Sequence, residues 1–353
     1  MTGAWRHMVL GLAALLVLGG CAARPGGLTL APDMERVWPV PPDAPRIAYL
    51  HQIRVPEDAG VREGAWRRLV SLVAGRREPP RIEQPVSVYA DAEGRLLVTD
   101  IGLQVVHVFN TRQGTYAQAF RLPGGRLASP VGVAFDPARR WIFVADSILN
   151  HVYVYDTDGI YVGVFGEGLK RVAGLAWDVP RQRLFAADTG NHRVVVFDAN
   201  GAMTGEIGKR GEGPGEFNYP THVAVNGAGE LLVTDSLNFR VQVFGADGAY
   251  RAELGGLGQV LGRFSKPKGV AVDEGGRVFV VDGIYDVVQL FDADGRLLMH
   301  FGGSGSGPGQ FWLPAGIAVT GNDIYVADTR NGRVQIFRLL NTEMPPADQP
   351  AGG

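Results

Sequence analysis

The scarcest reactive group in the chain is a thiol. Cys21 is the only cysteine among 353 residues. One thiol cannot close an intrachain disulfide or build a Cys-rich zinc site. Seven histidines could serve as bases or ligands: His7, His51, His107, His151, His192, His222 and His300. Six acidic residues end short apolar runs, at Asp100, Asp146, Asp188, Asp235, Asp282 and Asp328. A carboxylate that recurs six times reads as a structural group, satisfying backbone N–H donors of the following loop or pairing with Arg. No Ser-His-Asp spacing stands out. Gly-rich stretches such as GEGPGEFNYP and GSGPGQFWLP suggest phosphate loops, but they lack a GK[ST] ending and open no helix.

The register of those Asp residues sets the architecture. They follow one another at 46, 42, 47, 47 and 46 residues. Each closes a run such as LLVTD, IFVAD or IYVAD. A second run precedes it (SVYAD, GVAFD, GVAVD), a third follows it (VVHVF, VQVFG, VQIFR), and five copies show a fourth, as in YVGVFG. Runs of four to six β-branched or aromatic residues between Gly, Pro, Asp and Asn are strands. Four strands repeated at a period in the forties predict an all-β, six-bladed β-propeller of four-stranded antiparallel blades. The repeat resembles the NHL family over 46–340, most closely in PAGIAVTGNDIYVADTRNGRVQIF. The sixth copy lacks a fourth run, so Arg46–Ile53 (RIAYLHQI) is expected to close the last blade and leave no exposed edge. Phe217, Phe264 and Phe311, 47 apart in the linkers, are expected to wedge between blades.

Departures from the repeat carry the functional reading. The family pattern after the Asp is D-x-x-N-x-R. Blades 3, 4 and 6 keep it (Asn191/Arg193, Asn238/Arg240, Asn331/Arg333), whereas blades 1, 2 and 5 do not. Leu103 with Val105, Leu149 with His151 and Tyr285 with Val287 stand there instead, and the neighbouring loop positions Ile101, Ile148 and Ile284 are also apolar. These loops share one face with the Gly-rich linkers and form a candidate partner-binding patch, or else fill space under neighbouring loops. A helical insertion expected over 57–84, with Trp66, Leu69, Val70 and Val73 on one side and several Arg residues, would cover that face or touch a partner. His222 replaces the small residue that other blades carry at the start of the innermost strand, placing it at the channel rim. Peptide-amidating lyases, a similar propeller family, set three channel histidines around zinc. Only His222 occupies a matching position here, so no metal set, catalytic residue or cofactor is expected.

At the N-terminus, Arg6 and His7 precede an apolar run to Leu18, followed by Gly19, Gly20 and Cys21. A basic start, a short apolar segment and small residues form a secretory signal, too short to span a bilayer. The tetrad at 18–21 resembles the lipobox of bacterial lipoproteins. That resemblance implies a signal peptide over 1–20, a lipidated Cys21 and attachment to the cell envelope. Ala22 offers no acidic retention residue, which by family analogy favours the periplasmic side of the outer membrane. A Pro-rich tether is expected over 21–45 and a disordered tail over 341–353.

Composition limits the partners. The net charge is −2, so nothing pulls the whole chain towards nucleic acid. Animal NHL proteins grip RNA on a basic face, and Lys209, Arg210, Arg263, Lys266 and Lys268 give that reading some footing, but export argues against it. The leading expectation is a lipid-anchored, non-enzymatic scaffold for an envelope protein or ligand. The alternative is a metal-dependent hydrolase or lyase with its site near His222.

Overall fold

The computed structural model describes residues 31–61 and 80–340. They form a six-bladed β-propeller with almost no helix. The Cys21 and Trp66 expectations, the signal peptide, the helix predicted from Trp66 and the tail from Asn341 lie outside the described residues. Blades 1 to 5 span 85–119, 130–165, 172–207, 220–255 and 267–302, each a four-stranded antiparallel meander. Blade 6 holds strands Pro314–Thr320, Asp323–Asp328 and Arg333–Leu339.

Ring closure follows the expectation. Strand β2 (Ile47–Ile53) pairs antiparallel with Arg333–Leu339, from Ile47 opposite Leu339 to Ile53 opposite Val334. The pairing gives the facing edges of these two strands their backbone partners, which a closed ring needs.

One expectation needs correction. The tether predicted over 21–45 contains a strand, β1 (Asp33–Trp38), which pairs with β2 and makes blade 6 five-stranded. The Pro residues around it hid a short run whose end is apolar. Val37 is buried, and the Trp38 ring packs 5.7 Å from Phe337 and 6.1 Å from Phe301. Burial of that ring outweighs the poor strand propensity of its neighbours.

The core lies between blades. Six apolar clusters each join two neighbouring blades, such as Ala176, Phe185 and Val194 of blade 3 with Val223, Leu231 and Val233 of blade 4. Phe217, Phe264 and Phe311 are fully buried, each about 5.7 Å from a third-strand Phe of the following blade. Their rings lie against glycines in the left-handed region. A Cβ at Gly255, with φ +96°, would stand 2.2 Å from the Phe264 ring. Close approach explains a second set of glycines: a Cβ on Gly132 would meet the Ala173 carbonyl of the next inner strand at 2.1 Å.

Candidate functional site

The register Asp residues place the loops. In every blade the Asp ending the second strand lies opposite the first residue of the inner strand, as in Pro220 with Asp235 and Pro267 with Asp282. The channel mouth at the inner-strand N-termini, the loops between second and third strands, and the linkers between blades therefore share one face, here called the Asp face.

Those carboxylates are structural, and they work in two ways. Blades 3, 4 and 6 use the D-x-x-N-x-R residues as a clamp on the preceding linker. In blade 6, Asp328 accepts from Trp312 N (2.8 Å), Asn331 Nδ2 (2.8 Å) and Arg333 Nε (2.7 Å). Asn331 also donates to the Gly305 carbonyl, and Arg333 to those of Gly307 and Gln310 and to Gln52 of β2. Blades 1, 2 and 5 lack the Asn and Arg and replace them with backbone donors. Asp146 accepts from Ala128 and Ser129 N before it and from Ile148 and Leu149 N after it. Asp100 and Asp282 do the same. The departures thus have an internal compensation, since all six carboxylates remain bonded.

That compensation frees the apolar loop positions from any clamp role. Ile148 is 64% exposed and Ile284 52%, while Ile101, Leu103, Leu149 and Tyr285 are partly buried. Linkers and a neighbouring loop add residues that the sequence reading passed over. Leu257 and Val260 are each 70% exposed, Trp312 56%, with Leu237 and Leu261 also exposed. All stand on the Asp face, chiefly over blades 4 to 6. Their signal was present as large apolar side chains inside otherwise Gly-rich or polar linkers. Other exposed apolar side chains, Val162, Val164 and Met203, lie on outer strands.

The channel is graded along its length. Away from the Asp face, the later inner-strand residues, among them Val88, Val133, Leu175, Val223, Val270 and Ile317, line a cavity of about 190 Å³ with apolar and aromatic side chains. No His, Cys, Asp or Glu is among its lining residues, so it offers no metal ligand of those types. Towards the Asp face, His222 is the third residue of the inner strand Pro220–Val225. Its Nδ1 lies 3.2 Å from Thr221 Oγ1. Burial, then the positive charge of Lys268, pushes its pKa down to about 3, so the ring is neutral near pH 7. Among the described residues, no group of three or more His, Cys, Asp or Glu side chains could hold a metal. The group coupled to His222 is a cation, which repels a metal ion.

The other histidines have local roles or stand away from the channel. His107 Nδ1 lies 2.8 Å from the Tyr116 hydroxyl and its Nε2 3.2 Å from Asp100. His192 Nδ1 accepts from Tyr219 N, His151 lies 2.6 Å from the Leu149 carbonyl, and His300 is exposed on an outer strand. Of the basic linker residues, Lys209 pairs with Glu216 at 3.4 Å and Arg263 donates to the Gly255 carbonyl at 2.7 Å.

Comparisons with known proteins agree with the fold. A family model described as NHL repeat matches residues 311–337, and one described as a 6-bladed beta-propeller matches 176–253. No curated protein matches the sequence. Among solved structures, a structural genomics protein of unknown function from Bacteroides thetaiotaomicron is similar at TM-score 0.58 and 17% identity, covering 74% of this chain and 70% of that one. A catalytically inactive virginiamycin B lyase from Staphylococcus aureus, determined with quinupristin, is similar at TM-score 0.53 and 13% identity, covering 72% and 80%. Kuenenia stuttgartiensis hydrazine synthase is similar at TM-score 0.53 and 12% identity, covering 75% and 98%. At such identities the likeness is one of fold. The repeat matches and the geometry agree that the chain is a six-bladed β-propeller carrying an NHL repeat.

Proposed function

We propose that the protein is a lipid-anchored, extracytoplasmic binding scaffold that presents its Asp face to a protein partner in the bacterial envelope. One observation carries this reading: Leu257, Val260, Leu261, Ile284 and Trp312 are all exposed, on the blade 4–5 linker, the blade 5 loop and the blade 5–6 linker of that face. Apolar side chains of this size in water favour burial against a partner, at ~25 cal/mol per Å² of apolar surface covered. The ring holds the loops in fixed relation, because each linker is hydrogen-bonded to a buried Asp.

Attachment through Cys21 belongs to the same proposal. With β1 fastened to the ring from Asp33, the 11 residues 22–32 between the lipid and the first strand reach at most about 40 Å. The ring then works close to the membrane surface, which raises its effective concentration towards a partner there.

Two substitutions test the two halves. Cys21→Ala should move the chain from the membrane to the soluble fraction and abolish palmitate labelling. In cross-linked cells, Leu257→Asp with Ile284→Asp should remove an adduct that Met203→Asp, on an outer strand, retains. An adduct untouched by the face variant contradicts this use of the face.

A further inference from the structure

The channel rim on the Asp face is built of small or uncharged residues except at two adjacent places. The second inner-strand positions are Val86, Val131, Ala173, Thr221, Lys268 and Ala315, with one charged residue among them. The third positions are Ser87, Gly132, Gly174, His222, Gly269 and Gly316, with one titratable residue. Lys268 and His222 are thus neighbours across the contact between blades 5 and 4.

A compensating change accommodates Lys268. The residue after the register Asp bonds the first carbonyl of the next inner strand through its hydroxyl in blades 3, 4 and 6: Thr189 to Pro220, Ser236 to Pro267, and Thr329 to Pro85. In blade 5 that residue is Gly283, and the Lys268 stem lies across it. A Cβ at position 283 would stand 2.9 Å from Lys268 Cε and 3.1 Å from the Pro314 carbonyl. The glycine leaves room for a lysine where other blades place a hydroxyl.

The charges around that lysine are unbalanced. Burial, then Lys266 and Arg330, hold its pKa below the ordinary lysine value, and only Asp286 opposes them. Asp286 is already committed, accepting from Ser304 Oγ and Leu313 N at 2.7 Å each. Among the described residues, the side chains of Lys266, Lys268 and Arg330 have no carboxylate within ion-pair distance. Most other Arg residues do, as in Arg95 with Asp91, Arg277 with Asp273 and Arg333 with Asp328. Lys266, Lys268 and Arg330 outnumber the one opposing carboxylate, Asp286, and leave a net positive potential that a low-dielectric mouth focuses.

We infer that the channel mouth between blades 4, 5 and 6 binds a small multivalent anion bearing carboxylate or phosphate groups, held by Lys268, Lys266 and Arg330 with His222 alongside. His222 is a neutral hydrogen-bonding group there and adds no charge of its own. The apolar channel beyond would favour a ligand with one charged end and one apolar end.

Calorimetric titration of the full chain in detergent, at ionic strength fixed with sodium chloride, tests this with citrate and with inorganic phosphate as probes. Saturable binding of one anion per chain is expected for at least one probe. Citrate alone points to carboxylates, phosphate alone to phosphate groups, and both to recognition by charge. Lys268→Met, which keeps the stem, should weaken binding at least tenfold, and the exposed variant Arg330→Gln several-fold. Lys209→Met, elsewhere on the same face, should change little. Lys268→Met should also melt no lower than the parent without anion, because it removes repulsion. The inference is overturned if neither probe binds saturably, or if Lys268→Met and Arg330→Gln both bind as tightly as the parent.

Discussion

The Nε2 of His107 lies 3.2 Å from Oδ2 of Asp100, where the third strands of blades 4 and 6 place the amides of Gln242 and Gln335 on Asp235 and Asp328. Blade 1 has Val105 at the Arg position of the repeat and His107 where blades 4 and 6 have Gln242 and Gln335. Burial opposes the Asp100 charge, but the bonds from His107 and from the N–H groups of Glu83 and Leu103 outweigh it and hold the carboxyl below its ordinary pKa. A depressed carboxyl stabilises the fold above the unfolded value and loses that contribution as pH falls through the folded one. His107→Gln should be mild, whereas His107→Leu should cost about 1–3 kcal/mol by removing the side-chain bonds that His107 makes to buried Asp100 and to the Tyr116 hydroxyl. Urea midpoints at pH 7 check this, and equal losses for the two variants would contradict it.

Ring closure yields a second prediction. A chain starting at Pro32 keeps β1 and β2 and should melt as the full chain does. A chain starting at Arg54 exposes the backbone edge of Arg333–Leu339 and removes Gln52 from buried Arg333. It should fail to fold or should aggregate. Unchanged melting of the shorter chain, followed by circular dichroism, would contradict the closure.

The glycines separate by role. Gly255→Ala places a Cβ 2.2 Å from the Phe264 ring at a left-handed backbone, and should cost about 1–3 kcal/mol. Gly205→Ala, on an outer strand with nothing within 4 Å of the added atom, should be neutral or slightly stabilising. Thermal melts of the two variants make the comparison.

His222 should resist protonation. Its folded pKa of about 3 lies below the unfolded value of about 6.5, so the unfolded chain binds the proton that the folded chain refuses. Stability should therefore fall as pH drops from about 6.5 towards 3, and His222→Asn should lessen the fall. Proton NMR of the ring should show no titration between pH 7.5 and 5. A midpoint near 6.5 would contradict the enclosed, cation-flanked setting of this side chain.

The fold was legible because its signal is repeated. Six copies of one strand pattern average out local irregularity, and the missing fourth run before Asn341 pointed directly to β2. β1 was not legible, since a six-residue strand beside Pro32, Pro39, Pro41 and Pro42 is defined by where Trp38 packs, a contact nearly 300 residues away at Phe337. The candidate site was half legible. Ile148 and Ile284 stood out as departures from a motif. Leu257 and Trp312 sat in linkers whose glycines drew the eye to the backbone. Lys268 became informative only beside Gly283, a pairing between strands that sequence spacing does not reveal.

The Asp face as the working surface is the central claim, and site-specific photo-cross-linking in intact cells tests it most directly. A photoreactive residue at Leu257 or Trp312 should give a discrete higher-mass adduct with one protein, while the same group at Met203 or Val162 on outer strands should give none. Adducts from the outer-strand positions with none from Leu257 or Trp312 would place the partner on the rim of the ring and contradict the account.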